Sequence, residues 1–321
     1  LPIYAPYENM GTIQTKGWEL AIDYRHTFKN GLHFGVTASV ADDKTEVTKW
    51  TYNTKIPSYG ATGWWDKSAY KEGMVLGDIW GLQFDRFLTE DDFNADGSLK
   101  AGLPDQTKVF PAGYQFAPGD VLYKDLDNNG EIVKQTNTND KGDLSVIGNA
   151  LPRLQFGLNL DAAWKGFDIS MFFQGVAKRK LWAAGNQVLP GFTTGEPFYK
   201  GAEDYWTPEN TDAFYPRPMD YKQSASGNYS VNDRYLLNMA YLRLKTFTVG
   251  YSLPKVWLSK FKVQGLRVYF TGENLFTIDG VKPAIDPEIG IRTASGKSDQ
   301  RNFGRSYPYQ KTVSFGIQLS L

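Results

Sequence analysis

The sequence predicts an all-β fold, namely a segment of an antiparallel transmembrane β-barrel with about seven spanning strands. Three observations support this fold class: apolar and polar residues alternate along several segments, these segments have similar lengths, and short connections alternate with long ones. Period-two alternation places successive side chains on opposite faces of a strand. A tilted strand of about 9–11 residues crosses a bilayer. One face would then meet lipid and the other a wet lumen.

The first four predicted strands form two hairpins. Gly17–Phe28 and Leu32–Val40 flank the tripeptide Lys29-Asn30-Gly31, and Asn-Gly favours a tight turn because both residues tolerate positive φ. Arg153–Lys165 and Phe167–Gln174 meet at a Lys-Gly pair, which predicts a second tight turn.

The last three predicted strands are Tyr241–Leu253, Leu266–Phe276 and Lys311–Leu321. In the first of these, two early leucines are out of phase with the later apolar positions, so we expect a β-bulge near Lys245. The last strand alternates to the final residue, and a closed barrel would supply the neighbour that it needs. Because bacterial single-chain barrels have an even number of strands, we expect these seven to belong to a larger barrel.

The connections alternate between short turns and long loops. The long ones are 43–152, 181–239 and 277–310, which contain about 110, 60 and 34 residues. Outer-membrane barrels have short periplasmic turns and long extracellular loops, so we expect these three loops outside the cell and the C-terminus in the periplasm. The apolar segment Val75–Phe87 would break this alternation if it crossed the membrane, so we place it within the first long loop.

Composition excludes several classes of function. The 35 basic and 35 acidic residues give a formal net charge of zero, which argues against a nucleic-acid partner. The absence of cysteine excludes a disulfide framework, a thiol nucleophile and a thiolate metal site. The only histidines, His26 and His33, flank a predicted turn and are poor candidates for catalysis or metal binding. No apolar run reaches the roughly 18 residues of a transmembrane helix.

Short motifs occur along the whole chain in the order found in one known family. Examples are Tyr205-Trp-Thr-Pro-Glu-Asn210, Gly250-Tyr-Ser-Leu-Pro254, Asn274-Leu-Phe276 and Asp286-Pro-Glu288. With these motifs the sequence resembles the C-terminal third of the SusC/RagA-type TonB-linked outer-membrane transporters of Bacteroidetes. The final residue, Leu321, departs from the aromatic residue that is usual in the family.

The resemblance implies a function for residues 1–321 as the C-terminal portion of a TonB-dependent receptor barrel. The expected activity is TonB-dependent uptake of a large nutrient, a glycan or a peptide, together with a SusD-like lipoprotein. Outer-membrane lipid would surround the wall, and no reaction would be catalysed. The family's plug domain, its TonB-contacting segment and its earlier strands do not appear in this sequence.

Three other functions remain open at this point. A soluble all-β carbohydrate-binding protein or adhesin would cover both faces of its strands. A secreted glycoside hydrolase would need a carboxylate pair, and the run Glu90-Asp91-Asp92 is more typical of a solvated loop. A siderophore receptor of the same superfamily would differ only in its cargo.

One loop resembles a calcium-binding loop. Asp125, Asp127, Asn129 and Glu131 alternate ahead of Ile132, with glycine at the sixth position of the loop. Oxygen ligands at this spacing suit a hard cation such as Ca²⁺. The bidentate acid of the twelfth position is missing, because Thr136 is there, although Asp140 or Asp143 could replace it if the loop folds back. The alternative is an Asx turn. We expect no required cofactor, and Ca²⁺ only in a structural role.

Four tryptophans in the long loops are the predicted substrate-binding residues, because exposed aromatic rings can stack on sugar rings or grip peptide side chains. They are Trp64, Trp65, Trp182 and Trp206. The alternative is that these rings pack the loops together or lie at the membrane interface. Two cations, Arg243 and Lys245, are expected to face the lumen, where they could contact substrate or the plug.

Overall fold

The computed structural model describes residues 9–51, 70–134, 141–183, 185–192, 198–219, 227–259, 263–282, 285–288 and 309–321. Trp64 and Trp65, which were predicted to bind substrate, lie outside the described residues. The strands are, in chain order, β1 (Gly11–Thr27), β2 (His33–Trp50), β3 (Asp78–Gly81), β4 (Phe84–Phe87), β5 (Val121–Tyr123), β6 (Ser145–Asn149), β7 (Arg153–Trp164), β8 (Phe167–Lys178), β9 (Lys180–Leu181), β10 (Leu237–Asn238), β11 (Tyr241–Ser252), β12 (Gly265–Asp279) and β13 (Thr312–Ser320).

Helix is confined to two short pieces of the described chain. These are a single 3₁₀ turn, Glu90–Asp92, and the four-residue helix α1, Lys255–Leu258. No helix in this part of the chain is long and apolar enough to cross a membrane.

Seven long strands form one antiparallel sheet in the order β1-β2-β7-β8-β11-β12-β13. These are the seven strands that the alternation predicts, so the predicted all-β fold class is confirmed. The first hairpin is longer than predicted, because β1 and β2 stay paired from Thr27↔His33 to Gly11↔Trp50. Beyond Val40 the pairing continues through threonines and charged residues, which support a strand without apolar alternation. The first residues of the predicted loop 43–152 are therefore strand.

Apolar side chains form continuous rows on one face of the sheet. Cross-strand partners share a face, and one row runs from Trp164 through Phe167, Tyr251 and Val268 to Ile317. The next row on the same face consists of Ala162, Ile169, Val249, Phe270 and Phe315. Much of this face is uncovered, and Phe315 is 82% exposed.

Small polar and charged side chains occupy the opposite face. Asp161, Ser170, Thr248, Thr271 and Ser314 form one row. The Oγ1 atoms of the two threonines lie 3.2 Å apart. The alternation along the sequence therefore gives the sheet one apolar face and one polar face, as predicted.

An ion pair crosses this polar face over a glycine. Arg267 on β12 donates from Nε and a terminal nitrogen to Asp168 on β8, at 3.0 and 2.5 Å. Gly250 on the intervening strand leaves the space for this contact, because a Cβ atom there would lie 2.5 Å from the guanidinium. Gly250 is thus required because the Arg267 side chain passes close to its backbone, and not because the chain turns there.

Two local predictions are also confirmed. The register of β11 shifts between Leu244 and Thr246 against both neighbouring strands, which is the bulge expected near Lys245. The segment Val75–Phe87 lies outside the seven-stranded sheet and forms β3 and β4. Its strands pair with β6 and β5 in two small separate sheets.

The short connections all lie at one end of the large sheet. In the first, the Gly31 amide donates to the Phe28 carbonyl at 2.9 Å, and Gly31 has a φ of 79°. In the second, Lys165 and Gly166 both have positive φ, 50° and 88°, as a two-residue hairpin turn of the primed type requires. The third contains α1. Because the strands alternate in direction, the three long connections lie together at the other end.

The long connections contain two buried hydrophobic cores. The first core combines residues of all three long connections, including Ile79, Trp182, Tyr215, Tyr235 and Ile285. The second core joins the first and second connections and includes Leu82, Phe87, Val121, Tyr123 and Trp206. We call these packed connections the loop layer.

The two glycine turns give a matched pair of stability variants. In Gly31→Ala the new Cβ would have no atom within 4 Å. The free energy of unfolding should therefore fall by only about 1–2 kcal/mol, which is the cost of left-handed backbone in a residue with a Cβ. Gly166→Ala should lose more, because the new Cβ would also lie 2.7 Å from the Ser252 carbonyl oxygen. Urea unfolding of the protein in detergent, followed by tryptophan fluorescence, measures both. Equal losses would contradict the role of this contact.

Candidate functional site

A buried carboxylate connects the first long connection to the second. Asp120 is fully buried and accepts hydrogen bonds from Tyr114 Oη at 2.8 Å, Arg217 Nε at 2.8 Å and Asn228 Nδ2 at 2.9 Å. Its second oxygen accepts the Ala117 amide at 2.9 Å. Burial, followed by the nearby charge of Asp120, raises the pKa of Tyr114 well above its usual value, so its hydroxyl remains a donor. This network fixes the second connection against the first.

A cavity of about 550 Å³ opens in the second long connection. Aromatic and proline side chains dominate its described lining. The aromatic residues are Phe198, Tyr199, Tyr205, Tyr215 and Tyr229, and the prolines are Pro190, Pro216 and Pro218. Lys200, Ala202 and Glu203 complete this lining. A concave, mostly apolar cavity with a few polar groups is the usual form of a ligand site.

Buried tyrosines form the floor of the cavity. Tyr215 donates its hydroxyl to the Val188 carbonyl at 3.0 Å and stacks on Tyr235 with ring centroids 6.0 Å apart. Tyr229 meets Tyr235 edge-on at 5.3 Å. Burial raises the pKa of Tyr215 to about 12 and raises the pKa of Tyr229 well above its usual value. The floor is therefore neutral at physiological pH and is held within the first core.

The rim of the cavity is exposed and is held by backbone hydrogen bonds. Phe198 is 59% exposed and Tyr205 is 39% exposed. The Trp206 amide donates to the Tyr215 carbonyl at 3.0 Å, which fixes the rim next to the floor. Asn210 Nδ2 donates to the Tyr205 carbonyl at 3.2 Å. The motif 205–210 thus shapes the chain and presents one aromatic ring to the cavity.

Two of the predicted substrate-binding tryptophans are packing residues. Trp182 is 1% exposed and Trp206 is 7% exposed, so the expectation of exposed rings is wrong for both. Trp206 packs where Gly119 has no side chain, because a Cβ atom on Gly119 would lie 2.5 Å from the indole. The large indole surface is buried because it stabilises the loop layer. The rim residues Phe198 and Tyr205 were missed, and the density of proline and tyrosine between 198 and 218 is the signal that could have identified them.

The two cations that were predicted to face the lumen bind the loop motif that follows β12. Arg243 donates to Asp286 at 2.7 Å, and Lys245 donates to Glu288 at 2.7 Å. Both cations also lie over the ring of Tyr309, with distances to its centroid of 5.2 and 4.7 Å. We call this group the β11 clamp. These cations are engaged within the chain, so the clamp attaches the third long connection to the wall.

Hydrogen bonds to Asp286 set its ionisation. Burial alone would raise the pKa of Asp286, but hydrogen bonds from Arg243 and from the Glu288 and Tyr309 amides outweigh burial and lower it. The carboxylate is therefore stabilised in its charged form.

The calcium-like loop folds back so that Asp143 lies beside Asp125 and Asp127, as it must if Asp143 is to replace the missing acid of the twelfth position. Carboxylate oxygens of Asp125, Asp127 and Asp143 lie within 4.8 Å of one another. The Gly130 amide donates to Asp125 at 2.8 Å, and Asp143 accepts two backbone amides at 2.7 Å each.

The remaining residues of this loop are also accounted for. The Asn129 amide donates to Asp127 at 3.1 Å, and Asn129 Oδ1 accepts the Glu131 amide at 2.8 Å. Glu131 pairs with Lys108, away from this cluster. Thr136 and Asp140 lie outside the described residues. These contacts are those of an Asx turn, and the structural Ca²⁺ stays a prediction.

Comparisons with known proteins identify homologues of the chain. It is 26% identical to "TonB-dependent receptor P3" of Formosa agariphila over 97% of the chain and 29% of that protein. It is 22% identical to "TonB-dependent receptor SusC" of Bacteroides thetaiotaomicron over 98% of the chain and 27% of that protein. The chain thus spans less than a third of the length of these relatives. No protein-family model matches it.

Solved structures show the same fold. The structure of the RagAB peptide transporter superposes on this chain with a TM-score of 0.65 and 17% sequence identity. The match covers 99% of this chain and 30% of the transporter chain. The RagAB importer in its closed-closed state matches with a TM-score of 0.60. The resemblance to SusC/RagA-family TonB-dependent receptors is therefore confirmed.

The β11 clamp should weaken at acid pH. A depressed pKa contributes stability that is complete above the ordinary value of 3.8 and is lost as pH falls through the lower folded value. The protection factors of the backbone amides in 285–288, which are exchange rates corrected for the intrinsic pH dependence of exchange, should therefore fall below about pH 4, and Asp286→Asn should remove most of this fall. Exchange mass spectrometry of both proteins from pH 6 to acid pH measures it. An unchanged profile in the variant would assign the effect to another group.

Proposed function

We propose that the chain supplies barrel wall and part of the extracellular binding chamber of an outer-membrane receptor for TonB-dependent nutrient uptake. The separated faces of the seven-stranded sheet carry this proposal. Apolar rows cross five adjacent strands in register, while the buried cores lie in the loop layer. This arrangement suits a wall with lipid on one side and water on the other. A soluble lectin or adhesin would cover its apolar face with a second layer.

The edges of the sheet support a larger barrel. β1 and β13 are the outer strands, and each has only one partner in the sheet. In lipid every backbone amide and carbonyl needs a partner, because no water is present in the hydrocarbon. We therefore propose that further strands pair with both edges and close the wall.

The loop layer gives the proposed orientation. With the short turns in the periplasm, the cavity and both cores lie outside the cell, and the C-terminus lies in the periplasm. The names of the relatives support TonB dependence, and the RagAB structures are assemblies named for peptide transport or import. We infer a SusD-like lipoprotein as the partner over the loop layer. We also infer that TonB transmits energy from the inner membrane, through a segment outside this sequence.

The proposed cargo is a glycan or a peptide that is too large for a porin. No reaction is catalysed in this proposal, and no cofactor is required. A siderophore receptor remains the alternative within the same superfamily. Uptake of labelled maltoheptaose, of casein peptides and of ferric siderophore by cells with and without the gene tests these cargo classes. Loss of one uptake on deletion of the gene or of TonB supports the proposal, whereas energy-independent uptake would contradict it.

Charges on the two faces of one strand should have opposite outcomes. Met171→Arg places a charge on the apolar face, between Leu160 and Phe247. It should destabilise the protein by about 2–4 kcal/mol, because a cation near the middle of the lipid face is poorly solvated.

Ser170→Arg, one residue earlier, places the same charge on the polar face and should fold normally. Heat-modifiable migration of outer-membrane fractions measures the folded fraction of both variants. Equal behaviour would mean that the two faces do not meet different solvents, and the wall proposal would fail.

A further inference from the structure

The cavity of the second long connection has few groups that could bind sugar hydroxyls. Sugars are usually held by planar polar side chains, such as carboxylates, amides and guanidinium groups, next to an aromatic platform. The described lining contains one carboxylate, Glu203, and one ammonium, Lys200, and its other polar atoms belong to tyrosines and the backbone. A polyhydroxylated ligand would find few partners for the hydroxyls that it turns toward the buried floor, and polar groups that are left unpaired away from water are costly.

The same lining suits a large apolar side chain. Tyrosine rings and prolines surround a volume of about 550 Å³, which exceeds the space that one aromatic side chain needs. Aromatic side chains also line the grooves that bind extended proline-rich peptides. The floor is fixed in advance by the Tyr215–Val188 hydrogen bond and by the stacking of Tyr215 on Tyr235. A preformed floor lowers the entropy cost of binding.

The charged residues at the rim fit a peptide backbone. Lys200 and Glu203 are both exposed and line the same opening as Phe198 and Tyr205. An ammonium group offers donors and a carboxylate offers acceptors, so together they can meet the carbonyls and amides of an extended chain.

We propose that this cavity binds an aromatic or proline side chain of an extended cargo peptide, with Phe198 and Tyr205 as its gripping walls. The inference rests on the proposed uptake function and narrows its substrate class. Specificity would come from the side chain in the cavity, and the peptide backbone would contribute affinity at the rim without selecting sequence.

The test uses the protein purified in detergent from the outer membrane with its native partners. Fluorescent nonapeptides that differ only at the central residue, which is Trp, Pro, Ala or Asp, are titrated against it. The Trp and Pro peptides should bind roughly ten-fold more tightly than the Asp peptide. The double variant Phe198→Ala/Tyr205→Ala should lose this preference. Both side chains are substantially exposed, so their truncation should leave the fold intact.

Ile278→Ala is the matched control. Ile278 is 62% exposed, similar to Phe198, and is not a lining residue of the cavity. This variant should keep the wild-type preference. Tm and heat-modifiable migration of all three proteins show whether each is folded.

Three results would overturn the inference. The first is a peptide preference that is absent in the wild type or unchanged in the double variant. The second is maltoheptaose binding that the double variant loses while peptide binding persists. The third is loss of a co-purifying lipoprotein without a change in peptide binding, which would assign the cavity to a partner's loop. In each case a protein that still migrates as a folded barrel and supports energised uptake leaves the proposed function standing.

Discussion

The structure depends on a single register that is kept across seven antiparallel strands. A shift of one residue in any strand would exchange its apolar and polar faces, because the side-chain period is two. The row from Trp164 to Ile317 and the row from Asp161 to Ser314 lie on opposite faces and cross the same five strands. The bulge at Lys245 does not disturb these two rows, because the register shifts between Leu244 and Thr246 and the rows cross β11 farther along the strand, at Thr248 and Tyr251. The separation of an apolar face from a polar face, on which the proposed barrel wall rests, follows from that register.

The loop layer follows a different principle, since it buries its apolar side chains as a soluble domain does. The described parts of its connections form only small two-stranded sheets. Buried hydrogen bonds and ion pairs therefore hold the loops in place together with the two cores. Asp120 gathers donors from three side chains, and the β11 clamp holds the third connection with two cations. Breaking such a buried pair costs more than the pair itself contributes, because the remaining charge stays buried. These anchors therefore determine where the loops lie, whatever their net contribution to stability.

Sequence patterns predicted the wall better than the loop layer, for physical reasons. A spanning strand repeats one local rule, so Arg153–Trp164 and Thr312–Ser320 could be located within one residue at each end. The extension of β2 to Trp50 was missed because its pairing with β1 uses threonines and charges that show no apolar alternation. In the loops, burial depends on contacts between residues far apart in sequence. Trp206 and Tyr205 are adjacent, yet one is buried and the other is at the rim, and no local pattern distinguishes them.

The clamp and the cavity belong to one continuous piece of packing. The first core contains the floor residues Tyr215 and Tyr229, and it also contains Ile285, which directly precedes the clamp residue Asp286. The cavity floor and the β11 clamp are therefore joined through one buried core, and the floor does not rest on the second connection alone. The proposed binding cavity is thus built on the wall, although none of its described lining residues lies in a wall strand.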